Sequence, residues 1–281
     1  MTPFRYIKRH PRGFTLLELL VVVSIVLVLL GLVLFVGGKL GNQAREVTER
    51  NAARQSLIAW TNYALDHDGD LLPGYLSGLK AMTPDGAPIS DSTIGVAGNR
   101  YPWRLAPYLS FNFDILYVND QQDYLKDLRL NDYGSYVYAV ATFPSLGINS
   151  TWVGGDEVDG CFNPALTDML GNFYASNLSQ IRHPERLTVF ASARGDTQPN
   201  GGGRSIEGYF KVASPAFASR RWKPEYDPDD STSTGNVSAR WDGRTVISRV
   251  DGSVDALPIE ELDDMRLWAD RADSKDWVLS P

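Results

Sequence analysis

Carboxylates are the main groups through which this 281-residue chain could do chemistry: it holds 34 acids but only three histidines and one cysteine. The most conspicuous is Glu18, at the head of an apolar run in which Leu19 to Val36 gives 18 consecutive residues without a charge. A charge inside such a helix costs about 2.5 kcal/mol or more and normally has a partner, yet the next basic residue is Lys39. A second set lies in "DHDGDLLPGY", where Asp66, Asp68 and Asp70 occupy the first, third and fifth positions of a calcium loop. Leu71 and Ser77 stand where that loop wants glycine and glutamate, so a capped helix end followed by a turn competes with the calcium reading. Asp227, Asp229 and Asp230, and more weakly Asp156 to Asp159, could also donate oxygens to Ca²⁺, with a solvated acidic loop as the alternative. His10, His67 and His183 are too far apart in sequence for a zinc motif. Cys161, the only cysteine, reads as a buried small hydrophobe. No nucleophile elbow, phosphate loop or Cys/His pairing is present. The expectation is therefore no enzyme, no catalytic residues and no cofactor, with Ca²⁺ left open.

The element that must position Glu18 is a long helix. Phe14 to Val36 would span roughly 34 Å at 1.5 Å per residue, enough for a hydrocarbon core of about 30 Å. A secretory signal peptide has a shorter apolar core, a plain anchor leaves Glu18 unexplained, and a buried core helix does not fit the apolar length. Beyond Gly37-Gly38, Leu40, Ala44, Val47, Asn51, Arg54, Leu57, Ile58, Thr61, Ala64 and Leu65 recur at spacings of three and four. With no proline between Pro11 and Pro73, one helix is expected from about Phe14 to Asp66, with a soft spot at Gly37–Gly41. Arg5, Lys8, Arg9 and Arg12 give the first 13 residues a charge of +4. From −7 for the whole chain, −11 remains for the rest. Basic residues beside an apolar helix stay cytoplasmic, and an acidic body argues against a nucleic-acid partner.

The stretch "RGFTLLELLVVVSIVLVLLGL" closely resembles the processing site of type IV prepilins and type II secretion pseudopilins: Gly13, Phe14, Thr15, Leu16, Leu17 and Glu18 all fit. The resemblance implies that a prepilin peptidase cuts between Gly13 and Phe14 and methylates the new amine of Phe14. It further implies that Glu18 pairs with that amine on a neighbouring subunit during assembly. In an apolar medium that attraction is much stronger than in water, which makes Glu18 a register device. The implied partners are the peptidase, other pilin or pseudopilin subunits, an inner-membrane assembly platform and membrane lipid.

The rest reads as a head rich in Gly, Pro and aromatics. "GSYVYAVATF" (Gly134 to Phe143), "RLTVFASA" (Arg186 to Ala193) and "SIEGYFKVA" (Ser205 to Ala213) are expected strands. Val237–Trp241 and Arg244–Val250 flank Asp242-Gly243, a strong hairpin signal, and Asp251-Gly252 makes a second turn. Pro258 to Asp273 is expected as an amphipathic helix, with proline and acids at its front. Residues 192–205 and 223–236 have the composition of mobile surface connections. The C-terminal part resembles a pseudopilin-like subfamily with a His-x9-Asp-Gly motif, here with Asp251 and Gly252 kept and Trp241 in place of the histidine.

The expected fold class is α+β and pilin-like, a long N-terminal helix, transmembrane in its first half, packed on an antiparallel sheet. The expected divisions are a cleaved basic leader (1–13), a transmembrane and assembly helix (14–36), its continuation under the head (37–68) and a periplasmic head (69–281). The expected function is a structural subunit, minor or specialised, of a type II secretion pseudopilus or type IV pilus. The expected location is the inner membrane, single-pass, with the N-terminus cytoplasmic. The alternative is a single-pass anchored periplasmic binding protein that does not polymerise.

Overall fold

The computed structural model describes residues 15–78, 81–88, 95–118, 121–195 and 207–280. Its first element is the helix α1, Leu16–Asp66, whose backbone stays helical through Gly37–Gly41, the expected soft spot. It stops where the sequence predicts. Asp68 and Gly69 take positive φ (54° and 88°), and the Gly69 N–H reaches back to the Ala64 carbonyl at 2.8 Å, a left-handed C-cap. The chain divides into two compact units, residues 1–44 and 45–281.

In the first unit the described apolar side chains of α1, from Leu16 (84% exposed) to Leu30, lie open. Among the described residues no helix is long and apolar enough to cross a membrane. The expected span 14–36 extends beyond the described residues at its start and beyond the described side chains at its end. Phe14 lies outside the described residues, and side chains within the run are described only as far as Gly31. Leu16 to Gly31 is about 24 Å of helix, short of a hydrocarbon core of about 30 Å.

The second unit is an α+β head. Four strands, β1 (Leu146–Ile148), β2 (Thr188–Ser192), β3 (Arg244–Arg249) and β4 (Val254–Pro258), form one antiparallel sheet in the order β1-β2-β3-β4. Register runs Leu146↔Ser192, Ala191↔Ile247 and Ser248↔Val254. Val189, Phe190, Ala191, Val246 and Ile247 of the sheet share one core with Ala53, Leu57 and Trp60 of α1 and with the aromatic rings of Tyr101, Trp103, Trp152 and Trp268.

Both Asp-Gly turns form. Asp242 and Gly243 have φ of 52° and 81°, the two positive values of a type I′ turn, and Trp241 and Arg244 exchange backbone bonds of 3.2 and 3.0 Å across it. Val237–Trp241 nevertheless builds no ladder with β3. Val237 makes a single bridge to Ala193 instead, and the hairpin partner of β3 is β4, joined through Asp251-Gly252.

Three further expectations are corrected. Tyr133–Thr142 is a helix rather than a strand, capped by Asp132, which accepts the Ser135 N–H at 3.1 Å. Its run is apolar at both spacings, which periodicity alone does not resolve. Residues 207–213 make only an isolated parallel bridge, Lys211 to Ile148. At Gly208 the Phe143 carbonyl oxygen lies 2.2 Å from where a Cβ would stand, so the backbones meet there closely. Pro258 to Asp273 contains one short 3₁₀ turn, Met265–Leu267, and no α-helix. Ile259, Leu262, Met265 and Trp268 are buried at a strict spacing of three, the period of the tighter helix.

Candidate functional site

Glu18 sits at the third position of α1, after Thr15. The Glu18 N–H donates to Thr15 Oγ1 at 3.2 Å, and the Thr15 N–H and hydroxyl both donate to Glu18 Oε2 at 2.9 Å. That is a reciprocal capping box, so Glu18 has a partner within its own first turn. Further along, the Ser24 hydroxyl donates to the Val21 carbonyl at 2.8 Å, leaving the exposed run without a free hydroxyl donor. Gly13 and Phe14, the expected processing residues, lie outside the described residues.

Residues 8–34 match the prokaryotic N-terminal methylation motif. This is the prepilin-type motif, of the kind that type IV pilin- and pseudopilin-like proteins carry. Comparison with curated proteins and with solved structures returned no match.

A second polar constellation, which the sequence reading missed, joins the prepilin-type helix to the sheet. Glu49 of α1 is fully buried. Its Oε2 accepts the Trp241 indole N–H at 2.8 Å and Arg240 Nη1 at 3.4 Å. Arg240 is itself buried, donating also to the Ser145 and Ala193 carbonyls and, through Nε, to Ser238 Oγ at 3.2 Å. One turn earlier Glu46 pairs with Arg244 and, at 2.7 Å, with Arg50. Burial pushes the Glu49 carboxyl up, against the pull of Arg240 and the bond from Trp241. The buried residues of α1 are therefore Glu46, Glu49, Ala52, Ala53, Ser56, Leu57, Ala59, Trp60 and Ala64, while Val47, Ile58 and Leu65 of the expected stripe point outward. Two glutamates at the head of the buried face disguise it in any hydropathy reading. The signal available in the sequence was their spacing of three, in register with Ala53 and Ser56.

The acidic clusters are engaged internally. Asp70 and the Asp68 carbonyl accept from the Asn177 amide at 3.0 and 3.1 Å. Asp156 and Asp159 share the Lys211 ammonium at 3.4 and 3.3 Å. Segment 223–236 is a tied loop rather than a free connection. Arg194 donates to the carbonyls of Asp227, Pro228 and Asp230, and Asp230 pairs with Lys223 at 2.6 Å, which holds its carboxyl down at about 2. Among the described residues no group of three or more His, Cys, Asp or Glu is placed to hold a metal ion. The Cys161 thiol is buried and pushed up to about 12 by that burial, so it is a poor nucleophile.

Proposed function

We propose that this chain is a structural subunit, minor or specialised, of a type II secretion pseudopilus or a type IV pilus. It is held in the inner membrane by the apolar N-terminal segment, with its N-terminus cytoplasmic and its head periplasmic. A prepilin peptidase cuts between Gly13 and Phe14 and methylates Phe14, and the mature subunit joins others through α1 on the assembly platform. The observation that carries this reading is the methylation motif at residues 8–34, which includes an apolar helical run with its described side chains uncovered. Apolar surface of that extent has to be covered by lipid or by other chains.

Glu18 has a place in this reading. Its capping box satisfies it while the subunit waits, and in the filament the Phe14 amine of a neighbour becomes its partner. Replacing Glu18 with Leu should leave membrane retention intact and abolish incorporation into filaments, read by shearing and sedimentation from cells expressing the assembly machinery. Unchanged incorporation would favour the anchored binding protein that does not polymerise.

A further inference from the structure

The face that α1 turns to the head is smooth. Ala52, Ala53, Ser56, Ala59 and Ala64 are all buried, and small side chains on a packing face hold axial position only weakly, since register comes from knobs seated in defined holes. Leu57, Trp60 and two paired glutamates, Glu46 and Glu49, break that smoothness. Trp60, wholly buried, pins the helix by shape. Glu49 pins it by charge and direction, through the Trp241 indole and the Arg240 guanidinium.

Stability alone is a poor reason for a glutamate in this position. A buried ion pair replaced by apolar residues of similar volume is often neutral or stabilising. What a directional polar bond adds is a single allowed position, because any slide or rotation of the helix leaves a buried carboxylate and a buried guanidinium unpaired. Arg240 extends the pin across the sheet, since its donors reach Ser145 beside β1 and Ala193 at the end of β2. Trp241 is fixed in turn by the type I′ turn that follows it.

We propose that Trp241 and Arg240 are positioning residues that set the axial register of the N-terminal helix on the head by holding Glu49. This rests on the reading that the helix is the part by which the subunit is moved and stacked. A head fixed in register on that helix travels with it and meets its neighbours at one height.

The test is a pulsed electron spin distance between labels at Ile58→Cys, on the outward face of α1, and Glu260→Cys on the head. It is made on the full chain in detergent micelles in a Cys161→Ala background. Neither processing nor assembly is needed, so its outcome is independent of the filament reading. The parent should give one narrow distance. Trp241→Phe, which removes only the donor and some volume, should broaden it or shift it by about 5 Å, one helical turn. The double variant Glu49→Leu with Arg240→Leu covers the case in which Trp241→Phe does not fold: replacing both buried partners by apolar side chains of similar volume is often neutral or stabilising, so it should remain folded and show the same loosening. An unchanged distance in Trp241→Phe or in the double variant overturns the proposal.

Discussion

The two halves of one helix contradict ordinary hydropathy. From Leu16 to Leu30 α1 is almost wholly aliphatic and open, whereas from Glu46 to Ala64 it carries charges and is the half that the head buries. Hydropathy reports which surface needs covering; it does not say that the same chain covers it. The first half leaves its described apolar side chains uncovered. The second half is satisfied within the chain by shape, at Trp60, and by paired charge, at Glu46 and Glu49.

The sharpest way to break this contrast is to unpair the buried charge. Arg240→Ala leaves Glu49 buried without its cation and should destabilise the head by about 3–5 kcal/mol, measured by denaturant unfolding of the full chain in micelles followed by tryptophan fluorescence. A loss below about 1 kcal/mol would mean that the two halves are not held differently. A smaller effect is expected at the turn that aims Trp241. Gly243→Val forces a β-branched residue into positive φ and should cost about 1–2 kcal/mol, with little effect if the turn were incidental. Smallest of all, Ile58→Ser and Leu65→Ser on the outward face should change head stability by no more than about 0.5 kcal/mol. A larger loss would show that the expected stripe packs inward after all.

How much of this was legible beforehand follows from the same contrast. The motif from Gly13 to Glu18, the helix end at Asp68-Gly69 and both Asp-Gly turns are local signals, and the turns and the helix end form where the sequence places them. The strand at Thr188–Ser192 is apolar and β-branched and is found as expected. The errors fall where tertiary contacts decide. Gly134 to Phe143 reads as a strand from Tyr136 and Tyr138; the helix Tyr133–Thr142 forms there instead, capped by Asp132 and burying Tyr136, Val137, Ala139, Val140, Ala141 and Thr142. Pro258 to Asp273 has helical spacing but winds in turns around Leu262 and Trp268. The junction at Glu49 was hidden because its partners lie some 190 residues away in sequence, and only the fold brings them together.

The most direct test of the central claim is mass spectrometry of the mature N-terminus, from membranes that contain a prepilin peptidase. The prediction is a peptide beginning at N-methylated Phe14, with Glu18 as its fifth residue. An intact leader from Met1 under those conditions would contradict assembly through this helix and leave an anchored protein that does not polymerise.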